Sequence, residues 1–78
     1  MRLLNNGTDA SLKNITIYLT KSEARQMIGY LEQIIDEPNQ HFHLDDEMFE
    51  HEVTLVVYQE NNLASFDARS KRLIDKDE

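Results

Sequence analysis

Ile15, Ile17 and Leu19 alternate with Thr16, Tyr18 and Thr20, the period-two pattern of a strand with one buried face. From Lys21 onward the period changes. Ala24, Met27, Ile28, Leu31, Ile34 and Ile35 recur at steps of three and four, which places them on one side of a helix, with Lys21, Arg25, Glu32 and Gln33 largely on the other. The switch falls on a capping box. Thr20 precedes Glu23 by three residues, so each side chain can satisfy the other's backbone N–H. Leu31, within the apolar face, is expected to be a packed core residue. Gly29 weakens a helix interior by roughly 1 kcal/mol relative to alanine, and its use there points to a close backbone approach. Asp36-Glu37-Pro38-Asn39 should end the helix, because proline pushes the residue before it out of the helical region.

The second half repeats the strand signal. Over Gln40 to Leu44, Phe42 and Leu44 fall on one face and His41 and His43 on the other. Asp45 to Glu50 reads as a capped turn, with Asp45 as cap and carboxylates at its positive end. Glu52 to Tyr58 is rich in β-branched and aromatic residues and is the natural central strand. After a turn at Gln59–Asn62, Leu63 to Asp75 reads as a second helix, capped by Asn62 or Ser65, with Phe66, Leu73 and Ile74 inward. Asn6-Gly7 carries a type I′ hairpin signal, but its flanks are short and irregular. Residues 1–14 are therefore expected to be a mobile N-terminal arm, 15–75 a single domain, and 76–78 a frayed end.

The order β-α-β-β-α implies an α+β fold: a three-stranded antiparallel sheet, order 2-3-1, with two helices on one face. That face would hold Ile15, Ile17, Leu19, Phe42, Leu44, Val53, Leu55 and Val57. The open face would carry Thr16, Tyr18, Thr20, His41, His43, Thr54, Val56 and Tyr58. Polar-tipped aromatics on such a face suit contact with another protein or with a second copy of the chain.

Charge sharpens this picture. The 78 residues carry a net charge of −7. Residues 1–40 contribute −1 (four basic, five acidic), 41–60 contribute −6 (six acidic, no lysine or arginine), and 61–78 balance at four of each. An acidic middle repels phosphate backbones and attracts basic protein surfaces, so direct nucleic-acid binding is not expected. Arg69, Lys71, Arg72 and Lys76 form a basic stripe on the second helix, but with acids beside them they read as solvated residues. With no cysteine there is no disulfide or thiolate site. Met1-Arg2-Leu3-Leu4 lacks the apolar run of a signal peptide, and no stretch has membrane length. A soluble cytoplasmic protein is the expectation.

Catalytic signatures do not emerge. Ser11, Ser22, Ser65 and Ser70 lie in no nucleophile elbow, Gly7 and Gly29 cannot make a phosphate loop, and Asp45-Asp46-Glu47 lacks the pattern of a calcium loop. We expect no enzyme activity and no cofactor. His41-x-His43 is the sharpest local feature, since two histidines at i,i+2 on a strand can share a metal such as zinc. His51, or a carboxylate from Asp45, Asp46, Glu47 or Glu50, could complete the ligand set.

The segments ITIYLTKSEARQM, the histidine-bearing strand before EVTLVVY, and NNLASFDARSKRLI together resemble a group of short, uncharacterised bacterial proteins. Small acidic α+β proteins of this kind resemble immunity or inhibitor proteins encoded near toxins or in prophages. The resemblance implies an interaction protein. The expected function is a non-catalytic module, of the immunity type or a regulatory inhibitor, binding a basic partner through its acidic hairpin and open face. Its candidate contact residues are Tyr18, His41, His43, Asp45, Asp46, Glu47, Glu50, Val56 and Tyr58. The alternatives are a metal-binding protein using His41 and His43, with His51 as a further candidate ligand, and an acidic nucleic-acid mimic that inhibits a DNA-binding enzyme.

Overall fold

The computed structural model describes residues 1–37 and 40–78. Its elements are β1 (Leu3–Leu4), β2 (Ser11–Leu12), α1 (Lys21–Ile34), β3 (His41–Asp45), β4 (Glu52–Val56) and α2 (Ala68–Lys76). The fold is α+β with two helices, but its sheets are two separate antiparallel pairs, β1-β2 and β3-β4. The expected single three-stranded sheet of order 2-3-1 is not formed. Ile15 to Leu19 makes no strand, and Ile15, Ile17 and Leu19 are substantially exposed. Alternation supplied a suitable face but no partner. β3 and β4 meet through a short turn, whereas a strand before α1 would have to pair across the whole helix, at a larger loop-closure cost. The chain divides into two compact units, Tyr18–Gln59 and the combined segments Met1–Ile17 and Glu60–Glu78. The two helices therefore belong to different units.

In the unit Tyr18–Gln59, α1 starts where the capping box placed it. The Glu23 N–H donates to Thr20 Oγ1 at 3.1 Å and the Thr20 N–H donates to Glu23 Oε1 at 2.9 Å. The helix ends at Ile34, with a further N–H bond from Ile35 to the Leu31 carbonyl. Pro38 and Asn39, expected to stop it, lie outside the described residues. α1 packs on β3, and Tyr30 stacks on Phe42 with ring centroids 5.0 Å apart and planes 10° from parallel. Ile34 and Leu44 are the buried hydrophobics of this unit.

The apolar face of α1 is only partly covered. Ile28, Leu31 and Ile35 are 58%, 41% and 64% exposed, so Leu31 is not the packed core residue expected of it. Two strands spaced about 4.8 Å apart form a platform too narrow to cover the whole of this apolar face. Gly29 also departs from expectation, because a Cβ added there would meet nothing within 4 Å. No close approach requires a glycine. Gly29→Ala should therefore stabilise the protein by about 0.5–1 kcal/mol, measured as a raised urea midpoint with an unchanged slope.

In the other unit, the β1–β2 hairpin pairs Leu3 with Leu12 and Leu4 with Ser11. Its turn is not type I′, since neither Asn6 nor Gly7 has a positive φ. Instead Asp9 takes the left-handed conformation at φ 61°, and its N–H donates to the Asn5 carbonyl at 2.8 Å. This hairpin caps α2. Arg2 Nε donates to the carbonyls of Leu73 and Ile74 at 3.0 and 3.2 Å, and Ser11 Oγ donates to the Asp77 carbonyl at 2.9 Å. Lys13 pairs with the Asp77 carboxylate, which holds that carboxyl below its ordinary value. Asp67, not Asn62 or Ser65, caps the start of α2, accepting from the Ser70 N–H at 2.8 Å. Leu73 is the buried residue of this helix.

Candidate functional site at the acidic hairpin

β3 and β4 pair antiparallel with His41 opposite Val56, His43 opposite Thr54 and Asp45 opposite Glu52. Strand side chains alternate between faces, so these six residues share one face. Phe42, Leu44, Val53 and Leu55 share the other, the face on which Tyr30 stacks. His41, His43, Glu52, Thr54 and Val56 are exposed, and Asp45 is half-buried. The rings of His41 and His43 stand edge to face, 5.1 Å between centroids. Tyr18 does not join them. It is exposed on the segment leading into α1, outside both strands, while Tyr58 is half-buried two residues past β4.

His43 Nδ1 lies 2.5 Å from Glu52 Oε1 and 2.9 Å from Thr54 Oγ1. The hairpin turn is organised by Asp46 and not, as expected, by Asp45. Asp46 Oδ1 accepts from the N–H groups of Glu50 at 2.8 Å and His51 at 3.3 Å, and its carbonyl accepts from the Phe49 N–H at 3.0 Å. Asp45 is spent as the last residue of β3. Glu47 and Glu50 are exposed beside this turn.

His51 donates through Nδ1 to Asp46 Oδ2 at 2.6 Å. That hydrogen bond, helped by the negative charges of Asp46, Glu50 and Glu23, raises the His51 pKa above its ordinary value. The same bond and the two backbone N–H donors lower the Asp46 pKa. The two shifts set a pH window. A raised histidine stabilises the folded state below its unfolded pKa of about 6.5 and loses that contribution as pH rises through the folded value. A lowered aspartate stabilises it above about 3.9 and loses that as pH falls through the folded value. The turn is therefore held best between those limits. An NMR titration should place the His51 midpoint above its ordinary value, and Asp46→Asn should return it toward that value. A His51 midpoint that does not move in that variant would contradict the pairing.

Two residues that the sequence pattern did not single out dominate the tip. Met48 and Phe49 are 74% and 80% exposed, and Phe49 has φ 55°. A bulky L-residue in the left-handed region is strained by roughly 1–2 kcal/mol. The available signal was an apolar pair out of register in DDEMFEHE, too short for any periodicity to interpret.

Among the described residues no group of three or more histidines and carboxylates is arranged to hold a metal ion. His51 is committed to Asp46, and His43 to Glu52 and Thr54. On α2, Arg69 is paired with Asp9 at 2.8 Å. Lys71, Arg72 and Lys76 line an open depression together with Leu63, Asp75 and Glu78. Among the described residues no helix is long and apolar enough to cross a membrane. Comparison with protein-family models, with curated proteins and with solved structures gives no match.

Proposed function

We propose that this protein is a non-catalytic binding module whose β3–β4 hairpin end engages a basic protein surface. The observation that carries this reading is Phe49, exposed at the hairpin tip in a strained conformation and flanked by Glu47 and Glu50. The turn uses the backbone at this position, where the Phe49 N–H donates to the Asp46 carbonyl, but gains nothing from an exposed phenylalanine side chain, and strain held at an exposed site is a mark of function. The charges agree. Asp45 and Glu52 stand directly opposite in the ladder, a like-charge pair that costs stability. Among the described residues the acids of 41–60 form ion pairs only with His43 and His51. A lysine- or arginine-rich partner would relieve this repulsion and be steered toward it. If the partner's basic surface is its own working site, the module is an inhibitor.

The test uses Glu47→Lys with Glu50→Lys, two exposed residues whose side chains hold no part of the turn. Asp46 is unsuitable, because its side chain accepts three hydrogen bonds there. Proteins captured from source-cell extract by the wild-type chain, but lost with this double variant and retained by Lys71→Ala/Arg72→Ala, are the expected result. For a purified partner of this kind, the double variant should slow association by roughly tenfold or more at low salt, with a smaller effect at high salt. Capture lost through the α2 variant and not through the hairpin variant would move the site to α2.

A further inference from the structure

The exposed part of α1 has a pattern of its own. Ala24, Ile28, Leu31 and Ile35 advance by steps of four, three and four, the spacing of a coiled-coil seam. Ala24 is half-buried, and Ile28, Leu31 and Ile35 are all exposed large hydrophobics. Beside this seam lie Lys21 and Arg25 toward the helix N-terminus, with Glu32 near its end and Asp36 just past it. All four are exposed, and among the described residues none is in an ion pair.

This charge order is unfavourable within one chain. Cations sit at the positive end of the helix dipole and anions at the negative end, the reverse of what stabilises a helix. Lys21 and Arg25 are four residues apart with like charge, as are Glu32 and Asp36, and like charges at that spacing repel. Glu23 is the one acid in the first turn, and the last turn has no basic residue.

A second copy laid antiparallel offsets these terms with the opposite charges of its own helix. We infer that α1 pairs with α1 of a second copy of this chain across a two-fold axis, burying the Ala24–Ile28–Leu31–Ile35 seam. In that arrangement Ile28 meets the partner's Leu31, and Ala24 meets the partner's Ile35. Arg25 lies beside the partner's Glu32, and Lys21 lies opposite the acidic end that carries the partner's Asp36. Two-fold symmetry makes each contact twice, and the two helix dipoles run in opposition. Charge complementarity thus selects a second copy in one orientation, since only an antiparallel pair brings Arg25 of one copy beside Glu32 of the other, whereas in a parallel pair these positions face the uncharged Met27 and Ile34. The seam shares no residue with the hairpin tip, so a dimer would carry two acidic tips. Four side chains per copy make a small interface, below roughly 1,200 Å² in total, which is the class of weak and reversible pairs.

Sedimentation equilibrium of the full chain over a concentration series tests this. A monomer–dimer equilibrium is expected. Ile28→Glu should leave only monomer, and circular dichroism should show it still folded, because the side chain is exposed. Arg25→Glu or Glu32→Arg alone should weaken dimerisation by at least about tenfold, and the two together should restore it. A wild-type monomer at every concentration overturns the inference, as does a dimer indifferent to Ile28→Glu. So does a double variant no better than either single change. A monomer destabilised by Ile28→Glu also overturns it, by showing that the chain's own residues cover the seam.

Discussion

Ile34→Ala is expected to cost about 2–5 kcal/mol, close to the whole stability of a chain this small. Ile34 is fully buried, and among the other described hydrophobics only Leu44 and Leu73 are comparably buried. Leu73 belongs to the other unit, so the unit Tyr18–Gln59 is held by Ile34, Leu44 and the Tyr30–Phe42 stack. A cavity at Ile34 removes the main hydrophobic anchor of α1 on β3. A 78-residue chain buries proportionately less surface than a larger domain, and little reserve remains. Leu31→Ala is the control. Leu31 is 41% exposed, so in dilute solution, where the chain is monomeric, its loss should cost about 1 kcal/mol or less. Urea unfolding followed by circular dichroism separates the two. Equal costs would place the centre of the core one turn away from Ile34.

Phe49→Asn should act in opposite directions on stability and on binding. Asparagine tolerates the left-handed region far better than phenylalanine, so relief of strain at φ 55° should raise stability by about 0.5–1 kcal/mol. The same change removes the exposed aromatic that we place at the centre of the contact. Central aromatic anchors carry about 2 kcal/mol or more of binding, which is roughly 30-fold in affinity and should appear mainly as faster dissociation. A residue retained only for folding cannot give this split, because its replacement would lower both quantities or neither.

Local signals in the sequence were reliable where chemistry between near neighbours decided the outcome. Thr20 and Glu23 fixed the start of α1, and the alternation through His41–Leu44 fixed which residues of β3 face α1. The turn between the acidic strands was legible, but its organiser was not. Asp45 and Asp46 are chemically equivalent in sequence, and only the ladder register, which takes Asp45 opposite Glu52, leaves Asp46 to accept the turn's N–H groups. The same holds for Asp67, which caps α2 ahead of the earlier candidates Asn62 and Ser65. What local pattern could not supply was pairing across distance. Ile15, Ile17 and Leu19 fit a strand but find no ladder, and without that third strand the sheet is too narrow to bury Ile28, Leu31 and Ile35. Phe49 was illegible for another reason. Its significance lies in a backbone conformation that its residue type disfavours, which no propensity argument would assign to phenylalanine.

The most direct test of the hairpin as binding surface is the kinetics of complex formation with a captured partner. Wild type, Phe49→Asn and Glu47→Lys/Glu50→Lys would be compared across a salt series. The expected result is a clean separation. Phe49→Asn raises the dissociation rate by roughly 30-fold and leaves the salt dependence of association unchanged. The lysine pair lowers the association rate and removes most of its salt dependence. Rates for both variants within a factor of about two of wild type, well below what an anchor or a steering charge should contribute, would show that the acidic tip is not where this protein binds.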